Sequence, residues 1–271
     1  MRRHRPAAAS TPRESTVAGS NANRFQDFFE EKQYVGLKNH LYNYLLRKRA
    51  IGRRLGRASC ERVLEVGSGI SPVMTGEDRT VYSDLSFLAC RTLKRHLGNG
   101  WCVVADATAL PFLDGAFSHA LCSEVLEHVE DDGAVLAELG RITKAGGRLI
   151  VTFPHRRCYF ANDDRYVQHH RRYEFSEMVE RLEAAGFRPL ETHKVLGPLD
   201  KLTMMAAMML FDLTAKHGHA GREAGRTGRL LRCFEPLFVW ANRLFAALVW
   251  LDARLTPRAL AACLLIEAEK R

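Results

Sequence analysis

The chain has 271 residues, 46% hydrophobic and 26% charged, enough for one full α/β domain with additions and incompatible with a chain disordered through most of its length. Its net charge of +9 is uneven: residues 1–60 carry 13 Lys and Arg against 4 Asp and Glu, 61–198 carry 16 against 20, and 199–271 carry 11 against 7. Attraction to an anionic partner, nucleic acid or lipid, therefore belongs to the flanks and is excluded from the mildly acidic middle.

Residues 1–23 are rich in Ala, Ser, Thr, Pro and Arg with no apolar run behind the arginines, which reads as a disordered basic tail and argues against a secretory signal. From Phe25 to Leu55 apolar residues recur at helical spacing (Phe28, Tyr34, Leu37, Leu41, Tyr44, Leu45), predicting one or two helices within 24–58. A core over 59–198 follows. Short apolar runs at 62–66, 80–83, 101–105, 117–122 and 148–153 alternate with helical or turn-like stretches, the pattern of a parallel sheet wound with helices. Ser71-Pro72 reads as a helix N-cap and first turn, and Lys144-Ala145-Gly146-Gly147 as a helix stop before the fifth strand. A helix over about 175–185 closed by Gly186 and a sixth strand over about 187–195 complete this part.

Residues 199–257 form an insertion with two apolar stretches, 202–210 and 237–251. Asp200, Lys201, Asp212, Glu235 and Arg243 break or bound them, so neither reaches the roughly 18–20 uninterrupted apolar residues of a membrane span. They are predicted as amphipathic or core helices separated by a Gly/Arg-rich loop at 218–229. Residues 258–271 hold a seventh strand, made by the apolar run Ala261 to Ile266 followed by Glu-Ala-Glu-Lys. The seven cysteines are scattered, with no C-x-x-C pair, which predicts buried thiols in a reducing cytoplasm and no disulfide or zinc framework.

The strongest chemical signal is VLEVGSGISPV (63–73), where an apolar strand runs into Gly67-Ser68-Gly69. Missing side chains let such a backbone turn tightly and approach a ligand. A dinucleotide fingerprint needs G-x-G-x-x-G, and its third glycine is here Pro72, so that reading fails. Asp84 ends the strand TVYSD, where a carboxylate can accept from both ribose hydroxyls or cap the next helix. VVADATALPF (103–112) and FSHALCSEVLEHV (117–129) follow in order.

VLEVGSG, D-A-x-x-L-P-F and EVLEH at this spacing resemble the class I S-adenosylmethionine-dependent methyltransferases, methyltransferase type 11, in the small-molecule and lipid-acceptor branch that includes ubiquinone-type O-methyltransferases. The resemblance covers about 61–195 and continues through the last strand. It implies a Rossmann-like, seven-stranded, mostly parallel sheet with helices on both faces, an N-terminal helical extension and a helical insertion before the last strand. It also implies S-adenosylmethionine as cofactor. Glu65, Gly67, Ser68 and Gly69 would line its methionine end, Asp84 would hold the ribose, Leu85 would flank the adenine, Asp106 and Ala107 would meet the adenine edge, and Ser123 with Glu124 would lie near the sulfonium. Two positions depart from the family pattern: Ser71 replaces the usual third glycine, and Ser118-His119 stands where an aspartate is usual. The linker from the first motif to Asp84 is also about one helical turn short.

The donor is already activated, so the enzyme must align the acceptor and exclude water, with a general base helping a hydroxyl acceptor. The candidates for that base are His128, Glu124 and His155, with Glu127 and the pair His169-His170 beside them. Glu124, Glu127 and His128, spaced i, i+3 and i+4, would share one helix face. In ubiquinone-type relatives this segment resembles a divalent-metal or acceptor-facing site; no metal is expected here. Basic flanks, an apolar insertion and the cluster Met204, Met205, Met208 and Met209 point to a small-molecule or lipid-like acceptor, O-methylation, and a peripheral contact with anionic membrane at its inner face. A lid packed on the domain's own core is the alternative for the insertion. The competing functions are a nucleic-acid or protein methyltransferase and a catalytically inactive cofactor-binding partner subunit. Nucleic acid is disfavoured because Ser-Glu-Val-Leu follows the fourth strand, where base-modifying relatives carry an N-P-P-Y-like or Pro-Cys motif.

Overall fold

A computed structural model describes residues 41–55, 61–74, 79–97, 100–217 and 224–271, the side chains of 210–238 excepted. Seven strands form one sheet: β1 (Val63–Val66), β2 (Thr80–Asp84), β3 (Trp101–Val104), β4 (Phe117–Ser123), β5 (Thr143–Pro154), β6 (Phe187–Leu196) and β7 (Cys263–Lys270). Their spatial order is β3-β2-β1-β4-β5-β7-β6. The first five are parallel, and β7 runs antiparallel between β5 and β6. The order reverses between β1 and β4, which opens a crevice at the carboxyl ends of those two strands, the usual ligand position in open α/β sheets.

The helices are α1 (Tyr42–Leu55), α2 (Phe87–Leu97), α3 (Asp132–Ile142), α4 (Asn162–Tyr166), α5 (Phe175–Ala184), α6 (Pro198–His217) and α7 (Ala224–Leu255). Because side chains alternate across a strand, the sheet feeds two cores. Ala120, Cys122, Leu149, Val151, Phe153, Leu264 and Ile266 face one, with Leu136 and Leu139 of α3 and Met178 and Leu182 of α5. Leu121, Ile150, Cys263 and Leu265 face the other, under Tyr42, Leu46 and Ile51 of α1 and Val249 of α7. Helices thus cover both faces, as the expected fold class requires.

Three local expectations are corrected. No helix follows Ser71-Pro72 among the described residues, because the backbone of Val73 and Met74 turns back to donate to the buried Glu65 carboxylate. Lys144–Gly147 is not the helix stop: α3 ends at Ile142, and β5 is already paired at Thr143, opposite Phe117. Its register then jumps to Arg148 opposite His119, so 144–147 bulges out of the ladder with Gly146 at φ +71°. The apolar stretches of the insertion are segments of much longer helices, and α7 begins at Ala224, inside the region expected as loop. The seventh strand falls where expected, starting two residues into the apolar run and continuing through Glu267, Glu269 and Lys270. The expectations for the tail 1–23 and the first helical segment up to residue 40 fall outside the described residues.

Candidate active site

The turn after β1 is left-handed at both glycines, with φ +67° at Gly67 and +56° at Gly69. At Gly67 a Cβ would also collide with Cγ2 of Val125, which leads out of β4. Bare backbone is therefore required twice over. The Gly69 N–H donates to Asp84 Oδ2 at 2.8 Å and the Ser86 N–H to Oδ1 at 2.8 Å, so the carboxylate ties the glycine turn to the end of β2. The Ser68 N–H donates to the Ser83 carbonyl at 3.1 Å, while its buried hydroxyl has no hydrogen-bond partner. Glu65 lies beneath this turn, 3% exposed, and accepts from the N–H groups of Val73 (2.7 Å) and Met74 (3.0 Å). Burial pushes its carboxyl up to about 7 against those two bonds. The Glu65 side chain thereby shapes the short linker. At the end of β3, exposed Asp106 accepts from the Thr108 N–H and hydroxyl; Leu85 and Ala107 are half-buried beside these strand ends.

The end of β4 is the second half of the site. Ser123 shares a hydrogen bond with the Thr152 hydroxyl at 2.9 Å. Glu124 then takes φ +54°, a left-handed conformation that costs an ordinary residue roughly 1–2 kcal/mol and clusters at functional sites. It is held by Arg47 of α1, whose guanidinium lies 2.7 Å from Oε2, and by the Cys263 thiol of β7 at 3.4 Å from Oε1. A short 3-10 turn, Leu126–His128, follows. The expectation that Glu124, Glu127 and His128 share one helix face is therefore wrong, because left-handed Glu124 separates strand from turn and begins no α-helix.

Glu127 and His128 nonetheless belong to one cluster. The Glu127 side chain is fully buried with no hydrogen bond to either carboxylate oxygen, and burial, then nearby Glu124, pushes it far above the usual carboxylate range. His169 Nε2 lies 3.8 Å from Glu127 Oε1, and the His128 and His169 rings meet edge to face at 4.7 Å. Ligand atoms of Glu127, His128 and His169 all lie within 4.8 Å of one another, the donor set of a site for a divalent cation or for a shared proton. His169 Nδ1 is oriented by Asp164 Oδ1 at 2.9 Å. Burial would raise Asp164, but His169, Arg172 and Lys201 outweigh it and hold the carboxyl below its usual range. His170 joins only through its backbone, donating to the Glu127 carbonyl at 2.8 Å.

His155 stands apart from this group. It is 2% exposed, with Nδ1 against the Ala261 carbonyl at 2.8 Å and Nε2 facing Glu174 at 3.9 Å, and burial lowers its pKa. Its partners make it part of the joint between β5 and β7.

Several members of the site were not singled out from the sequence. Arg47 and Tyr42 come from α1, with the Tyr42 hydroxyl donating to Asp200 at 2.9 Å. Burial pushes Asp200 up to about 6 against that bond and Arg47. Lys201 at the start of α6 is buried and paired with Asp163 at 2.6 Å and Asp164 at 2.7 Å, and Arg172 donates to Asp164 at 2.7 Å. The one available signal was Lys201 beside Asp200 at the head of an apolar stretch, two charges that a core helix must pair.

Residues 64–151 match the model of a family described as a methyltransferase domain, and the seven-stranded, mostly parallel sheet is the Rossmann-like methyltransferase fold. Among curated relatives, demethylmenaquinone methyltransferase of Renibacterium salmoninarum is 33% identical over 108 residues, 38% of this chain and 46% of that protein. Its counterpart in Beutenbergia cavernae is 37% identical over 108 residues, 38% and 45% of the two chains. The chain thus spans under half the length of the curated relatives it matches. A methyltransferase structure from Thermotoga maritima superposes with a TM-score of 0.57 at 18% identity, covering 92% of this chain and 97% of the other, a likeness of fold alone.

Proposed function

We propose that the chain is an S-adenosylmethionine-dependent methyltransferase acting on a small-molecule or lipid-linked acceptor, with transfer to oxygen. The observation that carries this reading is the Gly67–Gly69 turn tied to Asp84 at the switch point of a methyltransferase sheet. Bound there, the cofactor supplies an electrophilic methyl on a sulfonium. Gly67, Ser68 and Gly69 offer open backbone for its amino-acid end, Asp84 for the ribose, Leu85 and Ala107 flank the base, Asp106 offers a carboxylate to the base edge, and Ser123 lines the wall between β4 and β5. Glu65 acts from beneath by fixing the turn.

On the acceptor side, Glu124, clamped by Arg47, and the cluster of Glu127, His128 and His169 can take a proton from a hydroxyl as its oxygen is alkylated. Burial holds the Glu127 carboxyl above the usual carboxylate range, and the two imidazoles stand beside it. The acceptor in the names of the curated relatives, demethylmenaquinone, supports the small-molecule or lipid-linked class of acceptor and not the choice of oxygen as the methylated atom. The apolar part of such an acceptor finds a cleft of about 250 Å³ lined by Ala161, Asn162, Arg165 and the adaptable Met205, Met208 and Met209. Peripheral contact of the insertion with an anionic membrane would bring such an acceptor to the site.

Titration calorimetry tests the cofactor site: the wild type binds S-adenosylmethionine in the micromolar range, and Asp84→Ala abolishes binding. Unchanged binding by the variant refutes the assignment. Mass spectrometry of a lipid and metabolite extract incubated with enzyme and cofactor then reads the acceptor as a product one methyl heavier.

A further inference from the structure

Helix α7 is apolar on two opposite sides. Its inner side is occupied: Val249 and Ala253 are buried, Phe245 and Ala246 pack on the second core, the Phe245 ring meets Tyr42 edge to face at 4.8 Å, and Asp252 accepts from the Leu199 N–H at 3.0 Å. The outer side carries Trp240 (63% exposed), Leu244 (53%), Leu248 (51%), Leu251 (45%) and Leu255 (74%). At about 100° per residue these five fall within an arc of about 80°, a single row about 22 Å long at 1.5 Å per residue. A helix packed on a soluble core ordinarily turns polar residues that way.

The charges along this segment have one sign. Arg243 and Arg254 are exposed and flank one edge of the row, Arg254 lying over the Trp250 ring at 5.5 Å, and exposed Arg258 follows the helix. Between 239 and 255 the only carboxylate is Asp252, which is turned inward. Across Ala224–Leu255 the sequence holds Arg226, Arg229, Arg232, Arg243 and Arg254 against Glu235 and Asp252. Among the described residues no helix is long and apolar enough to cross a membrane.

We propose that the outer face of α7 docks in the plane of an anionic lipid bilayer, with the Trp240–Leu255 row entering the boundary between headgroups and acyl chains and Arg243 and Arg254 reaching the lipid phosphates. An in-plane helix needs an apolar stripe, an aromatic at its margin and cations that extend to the headgroup level, and this face presents all three. A second copy suits it less well, since pairing two such rows would leave the arginines of both copies without carboxylates to receive them. The proposal deepens the lipid-linked reading of the acceptor by assigning the surface that meets the membrane, yet it can fail while the cofactor site stands.

The test is flotation of the full chain with vesicles of equal parts phosphatidylglycerol and phosphatidylcholine, and with vesicles of phosphatidylcholine alone. The wild type is expected to float with the anionic vesicles and to be released by high salt. Leu244→Glu/Leu248→Glu should weaken that binding at least about tenfold, and Arg243→Glu/Arg254→Glu should remove the preference for phosphatidylglycerol. Both pairs sit on exposed positions, so melting temperature and calorimetric affinity for S-adenosylmethionine should match the wild type, which separates loss of docking from loss of the cofactor site. A second readout needs no charge insertion: with Trp101 and Trp250 replaced by Phe, the emission of Trp240 should shift to the blue on adding anionic vesicles. A wild type that stays at the bottom of the gradient, a Leu244→Glu/Leu248→Glu variant that floats equally well, or an unshifted Trp240 overturns the proposal. So does a dimer by light scattering that these substitutions dissolve while no form binds vesicles.

Discussion

Gly67→Ala isolates the demand that the first motif places on its backbone. Two penalties add at this position. The alanine must hold φ near +67°, which costs an L-residue roughly 1–2 kcal/mol, and its methyl must displace Cγ2 of Val125, an overpacking of about 1–3 kcal/mol. The Cβ and Cγ1 atoms of Val125 lie at 3.5 Å from the new methyl, ordinary contact, so the collision resides in one methyl group. Gly67→Ala should therefore lower unfolding stability by about 2–5 kcal/mol. Val125→Ala in the same chain should return the collision part and leave the dihedral part, a coupling of at least about 1 kcal/mol in a double-mutant cycle. Urea denaturation of the four proteins measures the cycle, and calorimetry with S-adenosylmethionine measures the cost at the pocket, expected to exceed tenfold in the single variant. Strict additivity of the two substitutions, or a Gly67→Ala protein as stable as the wild type, would refute the reasoning.

Lys201→Met takes from buried Asp163 its nearest cation, leaving Arg172 at 3.9 Å, while Asp164 keeps Arg172 and His169; it should cost about 3–5 kcal/mol, readable as a melting temperature lower by roughly 2–4 °C per kcal/mol. Asp200 has a sign opposite to most carboxylates. Raised to about 6 in the folded chain against about 3.9 unfolded, it favours the fold most below pH 4, and that contribution declines as pH rises from 4 to 6 and is level above. Relative to Asp200→Asn, the wild type should thus lose on the order of 3 kcal/mol across that window in denaturation series at stepped pH, and parallel curves would count against it. The Glu127 carboxyl, buried and raised, likewise costs stability once ionised; Glu127→Gln should be at least as stable as the wild type at pH 8 while forming product more slowly in the mass-spectrometric assay. A variant destabilised at pH 8 with product formation intact would give Glu127 a purely structural role.

The sheet was legible because each strand announces itself locally: VLEV, TVYSD and FSHALCS are short apolar runs, and a parallel βα order leaves few ways to arrange them. The glycine turn and Asp84 were legible for the same reason, the one needing missing side chains and the other a strand end. What stayed hidden depends on distant pairing. Nothing near Arg47 indicates that its helix reaches Glu124, and nothing near Asp164 indicates that His169, Arg172 and Lys201 converge on it. The EVLEH spacing misled because i, i+3 and i+4 imply a helix only when the backbone is helical, and Glu124 is left-handed. Ser71-Pro72 misled similarly: a sound capping pair, set against a buried Glu65 that captures the following amides.

Because β7 is wedged between β5 and β6, the sheet is closed by a segment that emerges only after the whole insertion has been synthesised. Until Thr152 meets Leu265 and His193 meets Leu265 from the other side, the nascent chain carries two raw sheet borders with no neighbour. Such borders invite association with other chains, so yield of the protein should be governed by how quickly translation delivers this final filler, and a ribosome stalled inside α7 would hold the chain in its stickiest form.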